Sequence, residues 1–171
     1  MQPELYYKKR MVILNDAHRL LLKKKSLLAW LRFGTAVVLI AAIYLLLPMG
    51  IYYTLFAILL LLFVFIRLVL TDIKNNNAIQ HNLLLQKINE EELMALTHQY
   101  YEFAEGNEFL PAAHPYANDL DIFGRASLFQ YCNRTCSDMG GFTLSNWLLQ
   151  PATINEIANR QKAIKELCAK T

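Results

Sequence analysis

The sequence has no charged residue between Arg32 and Arg67, and this apolar stretch is interrupted only at Pro48-Met49-Gly50. Neither half of the stretch has a polar stripe. A surface helix of a small soluble protein keeps one polar face for water, so this absence favours a membrane hairpin over the alternative, a buried helical pair in a soluble domain. A cleaved signal peptide is disfavoured because the stretch starts late and no small-x-small site precedes a secreted domain.

Motifs that carry chemistry are also missing. None of the six glycines belongs to a G-x-x-x-x-G-K-[ST] phosphate-binding loop, so we expect that this chain is not an ATPase. Cys132, Cys136 and Cys168 have no histidine at the usual zinc-ligand spacing, and we expect no metal and no cofactor. Asp119 and Asp121 are paired carboxylates, but no neighbouring nucleophile or cleft accompanies them, so no catalytic residue is assigned.

Residues 72–171 have no net positive charge, because they hold 8 Lys or Arg against 12 Asp or Glu. This part has no electrostatic signature of nucleic-acid binding by itself. Residues 1–26 hold seven Lys or Arg against Glu4 and Asp16. We predict that they form a basic juxtamembrane helix on the inner leaflet, attracted to anionic lipid. The alternative is a topology determinant without lipid specificity. The predicted apolar face of this helix holds Leu5, Val12 and Leu20.

The sequence does contain two apolar arms, residues 27–47 and 51–70. Each arm would reach about 30 Å at about 1.5 Å per residue, which is the thickness of a bilayer's hydrocarbon core. Pro48 and Gly50 suit a tight turn between the arms, because proline fixes its φ and glycine tolerates unusual conformations. We therefore predict a transmembrane helical hairpin over residues 27–70.

Basic residues flank both outer ends of the hairpin, whereas the turn carries no charge. Positive residues near a span are retained in the cytoplasm. We predict two spans in the inner (cytoplasmic) membrane, with both termini cytoplasmic and the lipid bilayer as partner. Arg32 and Arg67 lie at similar distances from the turn, so both side chains snorkel to one interface. The predicted membrane-interface residues are Lys23, Lys24, Lys25, Arg32, Arg67 and Lys74.

A small, mainly α cytoplasmic region is predicted after the hairpin. Residues 71–105 are predicted to form linker helices. The candidates for their apolar face are Ile79, Leu83, Ile88, Leu93, Leu96 and Tyr100. Asn89, followed by three glutamates, suits the N-cap of a second helix. Residues 106–117 are predicted to be a loop.

Residues 118–171 form the last predicted region. The alternation over residues 119–122 predicts a short strand or an extended edge. Thr153 and Glu156 have the spacing of a capping box, which predicts a helix start. The predicted helices cover residues 126–134, 138–149 and 154–170.

The run from His114 to Leu167 carries a family pattern. In order, it contains an NLEL-like segment, a Ser-Leu helix, a D/N-x-T-x-T-x-x-G segment, a W-L-x-x-P helix end and an R-Q-x-A/V helix. Ser137 replaces the second Thr. The matching residues are Leu120, Ile122, Ser127, Leu128, Asn133, Thr135, Gly140, Trp147, Leu148, Pro151, Arg160 and Gln161. The run resembles the start of the core domain of MutS-family DNA mismatch repair proteins. The hairpin before it resembles the membrane-anchored subgroup of that family.

The resemblance implies a segment that connects clamp and lever helices to an ATPase and transmits nucleotide state. ATP, Mg²⁺, a homodimer and DNA are then expected only for a longer parent, because the phosphate-binding loop and the mismatch-reading domain are absent here. We accordingly expect a fragment or a truncated gene product that serves as the membrane anchor and coupling segment of a MutS-like ATPase. The alternative is a stand-alone membrane adaptor that binds a protein through exposed apolar faces in residues 79–100 and 154–168.

Overall fold

The computed structural model describes residues 3–168, and the chain divides between Leu96 and Thr97 into two compact units. Two long helices form the first unit, and three shorter helices with their loops form the second. The described residues contain no strand, and the predicted mainly α class is confirmed. The helices are α1 Pro3–Leu46, α2 Ile51–Leu96, α3 Leu128–Cys132, α4 Asp138–Leu149 and α5 Ile154–Cys168.

A tight turn joins α1 to α2 and makes the predicted hairpin. The turn is a single 3₁₀ segment, Leu47–Met49, with Pro48 in its first positions, where a missing N–H breaks no hydrogen bond. Gly50 follows with φ +131°, a conformation that side-chain-bearing residues rarely adopt. The Gly50 carbonyl then accepts from both the hydroxyl and the backbone N–H of Thr54, at 3.1 and 3.4 Å.

Both helices of the hairpin are continuous beyond the apolar arms. Residues 4–26 are helical as predicted, but their prediction as an element apart from the first arm is wrong, because α1 runs through residues 26 and 27 without a break. No glycine or proline interrupts it there, and Leu14 is buried at the same interface with α2 as Leu28. The predicted N-cap at Asn89 is also wrong. Asn89 lies within α2, is 3% exposed and donates to the Leu85 carbonyl.

The predicted apolar faces of these extensions do not match the buried ones. Leu5, Val12 and Leu20 are exposed, and of the six residues predicted for the apolar face after the hairpin only Ile79 is buried. The reason is that asparagines occupy much of the inner face of α2. These buried asparagines are Asn75, Asn82 and Asn89.

The second unit has an aromatic core. Phe123 and Phe129 are buried with Ala117 and Ile122, and Phe109 packs against them. The ring centroids of Phe109, Phe123 and Phe129 are 5.4 to 6.4 Å apart, in tilted arrangements that suit aromatic packing.

The predicted strand over residues 119–122 is wrong. Its backbone instead makes consecutive turns, in which Leu120 N–H donates to the Tyr116 carbonyl and Ile122 N–H donates to the Ala117 carbonyl. Four alternating residues without a partner strand satisfy their backbone groups more readily in local turns than in an open ladder. Asp121 has φ +47°, so the two aspartates do not share a strand face.

The three helices predicted after residue 125 are present as α3, α4 and α5. The helix predicted over residues 126–134 is shorter, since Ala126 has φ +63° and α3 spans only Leu128–Cys132. The bounds of α4 match the prediction. The start of α5 matches as well, whereas its predicted last two residues lie outside the described ones.

Candidate functional site

The apolar stretches of α1 and α2 face outward. These two helices are long and apolar enough to cross a bilayer, and only 6% of each candidate span is buried within the structure. A core helix of a soluble protein would be mostly covered by its neighbours. Large side chains such as Tyr52, Phe56 and Phe63 are instead more than 60% exposed. The hairpin therefore presents the surface that a membrane would cover.

An ion pair joins the two helices where the apolar surface ends. Arg32 Nη1 lies 3.0 Å from Asp72 Oδ2, and the two side chains are 31% and 16% exposed. Lys25 Nζ donates to Asn76 Oδ1 across the same helix pair, 3.1 Å away. Two of the predicted interface residues, Arg32 and Lys25, thus connect α1 to α2 rather than facing only lipid or water.

The other four predicted interface residues lie on α1 and α2. Lys23, Lys24, Arg67 and Lys74 are all exposed. On the outer side of α1, Trp30 is 70% exposed and packs edge-to-face on Phe33, with ring centroids 6.2 Å apart. Tryptophan at such a position is typical of the aromatic belt of membrane proteins.

A polar seam continues between the helices beyond the ion pair. Asn75 Nδ2 donates to the Leu21 carbonyl, and Gln86 Nε2 donates both to the Leu14 carbonyl and to Asn82 Oδ1. These bonds cross from α2 to the backbone of α1 at two levels, so they specify the register of the pair. The buried Oδ1 atoms of Asn75 and Asn89 have no hydrogen-bond partner. Sequence reasoning missed this seam, although the seven-residue spacing of Asn75, Asn82 and Asn89 signals it.

In the second unit, a buried glutamine connects α3 to the segment that precedes the loop. The Gln130 amide accepts from Ala126 N–H and donates to the carbonyls of Tyr101 and Phe103. Ser127, one of the family-pattern residues, is the N-cap of α3 and accepts from Gln130 N–H. Gln130 is fully buried and was not singled out from the sequence.

The Asn133–Gly140 segment of the family pattern builds the entry to α4. Asn133 Oδ1 accepts from both the backbone N–H and the hydroxyl of Thr135. Ser137 caps α4 by accepting from Gly140 N–H. A Cβ on Gly140 would lie 3.1 Å from Thr135 Cβ, so the glycine allows this close approach. A cavity of about 560 Å³ lies beside this turn, between Phe109, Phe129 and Phe142.

Trp147 and Arg160 connect α4 to α5. The Arg160 guanidinium lies 4.1 Å from the Trp147 ring centroid, which is a cation–π contact. Trp147 is 49% exposed, whereas Leu148 packs against the aromatic core.

The structure gathers only part of the family pattern. Ile122 and Ser127 are buried at the core. The exposed members are Leu120, Leu128, Thr135, Trp147, Pro151 and Gln161.

The predicted capping box at the start of α5 is confirmed. Glu156 Oε2 accepts from both the N–H and the hydroxyl of Thr153, each 2.8 Å away, and Thr153 Oγ1 accepts from Glu156 N–H. The hydrogen bonds from the backbone and the hydroxyl of Thr153, together with the nearby Arg160 charge, hold the pKa of the Glu156 carboxyl below its ordinary value.

Residues that bind metals or act as nucleophiles are dispersed. Over residues 3–168 no three His, Cys, Asp or Glu side chains gather as a metal site would require. Cys132, Cys136 and Cys168 are exposed and form no disulfide.

No family model, curated protein or solved structure matches this chain.

Proposed function

We propose that the chain is a membrane anchor and coupling segment, and that residues 118–171 correspond to the start of a MutS-like core. The observation that carries the anchoring role is the outward apolar surface of the hairpin, which ends at the Arg32–Asp72 pair. The coupling role is supported by the unbroken course of α2 from the apolar arm to Leu96. This proposal assigns no reaction to the chain itself. ATP, Mg²⁺ and DNA belong to a longer parent protein.

The proposed topology is two spans in the inner membrane with both termini in the cytoplasm. It is supported by basic residues at the open end of the hairpin and by their absence from the turn. Cys132 and Cys136 are exposed natural reporters of the C-terminal side.

We test this topology with a membrane-impermeant maleimide. The thiols should react in inside-out vesicles and stay protected in intact spheroplasts until detergent is added. A Thr54→Cys variant without the three native cysteines is the negative control. Thr54 lies near the turn and is buried, so its thiol should stay unlabelled in both preparations. Labelling of Cys132 in intact spheroplasts would contradict the topology. Extraction of the protein by alkaline carbonate would contradict the anchor.

The second candidate function is a stand-alone membrane adaptor. It is favoured by α5, where Ile154, Ile164 and Leu167 are each at least 60% exposed. An apolar helix face of this kind fits a protein partner.

The size of the native product and the reading frame after Thr171 distinguish the two candidates. A larger product that contains a G-x-x-x-x-G-K-[ST] loop supports the MutS-like parent. A stable membrane protein of 19.7 kDa supports the adaptor.

A further inference from the structure

We propose that the outer side of α1 holds a binding site for one anionic phospholipid, with its headgroup at Arg19 and Lys23 and its acyl chain along Trp30 and Phe33. The inference rests on the proposed membrane-spanning role of the hairpin. It goes further because it assigns a ligand to a particular set of side chains.

The first support is the arrangement of these residues around the helix. At about 100° per residue, Arg19, Lys23, Ser26, Trp30 and Phe33 fall within a sector of about 80°. All five are exposed. The opposite side of α1 faces α2, since Leu14 and Leu28 are buried there. The site therefore faces away from the partner helix and is open to lipid.

The second support is the order in which cationic, small and aromatic side chains follow one another along the sector. Two cationic side chains come first, then the small Ser26, and then two exposed aromatic rings in edge-to-face contact. This order matches a phospholipid, which has an anionic headgroup, a polar linkage and an apolar chain. Asp16 lies farther from the apolar arm than either cation, so it does not separate them from the rings.

The third support is the depth of the cations. Lys23 precedes the start of the apolar arm at Leu27 by four residues, or about 6 Å along the helix. The headgroup layer on each side of a bilayer is about 5 to 7 Å thick. The Lys23 amine therefore lies at the level of lipid phosphates, and the longer Arg19 side chain reaches the same layer from one turn away.

The fourth support is the shape of the surface beside the rings. Ser26, Ala29, Trp30 and Phe33 line a groove of about 390 Å³. The small side chains of Ser26 and Ala29 leave space next to two bulky rings, and an acyl chain fills such a space. Charge complementarity then selects an anionic over a zwitterionic lipid, because both have the same chains.

The experiment uses the full chain with Trp147→Phe, which leaves Trp30 as the only tryptophan. The protein is placed in phosphatidylcholine bilayers that contain either brominated phosphatidylglycerol or brominated phosphatidylcholine. Bromine quenches Trp30 on contact. We expect half-maximal quenching at a mole fraction of phosphatidylglycerol about fivefold or more below that of brominated phosphatidylcholine.

Arg19→Gln with Lys23→Gln should abolish this preference, so that both lipids quench equally. Lys24→Gln with Lys74→Gln is the matched control, because it removes the same charge near the same interface but outside the sector, and it should retain the preference. Equal losses in the two variants would overturn the site in favour of diffuse surface charge. Equal quenching by the two lipids in the parent protein would overturn it as well. Absence of quenching by either lipid would instead refute the membrane insertion on which the inference rests.

Discussion

At the scale of single residues, Arg32 and Asp72 have the largest expected effect on the hairpin. Each side chain is at most one-third exposed, and each is the charge partner of the other at 3.0 Å. Removal of one partner leaves the other charge poorly solvated at the edge of an apolar surface, which costs more than the pair contributes.

We expect Arg32→Gln and Asp72→Asn each to lower the stability of the detergent-solubilised protein by about 1 to 2 kcal/mol, with a double variant less destabilised than the sum. Thermal unfolding, monitored by circular dichroism, measures this loss of stability. The exposed Lys87–Glu91 pair is the control, where Lys87→Gln should cost no more than about 0.5 kcal/mol. Additive losses at Arg32 and Asp72 would show that the two residues act independently.

Gly106 is the second residue whose substitution has a sharp expected result. It has φ +71°, and a Cβ there would lie 2.5 Å from Phe129 Cδ1 in the core of the second unit. We expect Gly106→Ala to destabilise that unit by about 2 kcal/mol or more, through strain and overpacking. Loss of near-ultraviolet ellipticity at lower temperature reports the change. Gly34→Ala is the control, because nothing lies within 4 Å of its Cβ position and helical alanine is favourable.

At the scale of an element, the capping box makes the start of α5 sensitive to acid. The pKa of the Glu156 carboxyl is lower in the folded chain than in the unfolded one. Its stabilising effect is therefore complete above the ordinary carboxyl pKa and is lost as the pH falls through the lowered value.

We expect amide protection in the first turn of α5 to decrease over that acidic range, as measured by hydrogen exchange. Glu156→Gln should remove the pH dependence while it retains part of the cap, since a glutamine oxygen still accepts from Thr153. An unchanged acid profile in this variant would mean that another group titrates. Thr153→Ala should weaken the turn at every pH.

The polar seam between α1 and α2 gives a second prediction for an element. Asn75 and Asn82 are buried, and the first bonds the Leu21 carbonyl across the pair. Buried polar groups of this kind specify register at a cost in stability.

We expect Asn75→Leu with Asn82→Leu to raise the melting temperature of the hairpin and to broaden the distribution of its registers. Spin labels at Arg19→Cys and His81→Cys, in a chain without native cysteines, report the distance between α1 and α2. A single narrow distance in the leucine variant would indicate that the remaining contacts between the helices, among them the Arg32–Asp72 pair, set the register without the asparagines. Leu83→Ala, at an exposed position, is the comparison for nonspecific effects.

At the scale of the whole molecule, the distribution of charge determines the topology that we propose. The basic residues lie at the open end of the hairpin, and the turn has none. Replacement of Lys23, Lys24 and Lys25 by glutamine, with Leu47→Lys at the turn, should give a mixed orientation. Maleimide labelling of Cys132 from each side of the membrane measures the fraction of molecules in each orientation. The same lysine replacements without Leu47→Lys form the control, and we expect them to leave the orientation intact because Arg32, Arg67 and Lys74 remain.

The hairpin was predictable from the sequence because each of its causes is local. The absence of charge between Arg32 and Arg67, the break at Pro48 and the freedom of Gly50 act on adjacent residues. The Thr153–Glu156 cap was predictable for the same reason. Contacts between distant residues were not. The Arg32–Asp72 pair depends on a register across two helices, and the inner face of α2 uses asparagines that a hydropathy pattern assigns to water. The strand at residues 119–122 failed because alternation alone provides no partner strand.

The uninterrupted helix α2 has a mechanical consequence. From Leu70 to Leu96 it continues for 26 residues, or about 39 Å, without a proline, a glycine or any other break. In the proposed topology, a rod of this length acts as a lever arm whose fulcrum is the bilayer. A tilt of about 10° in the embedded part would displace the far end by about 7 Å, and transmembrane helices commonly tilt by about 20°. Changes in bilayer thickness would thus arrive at Leu96 as movements larger than the length of a side chain.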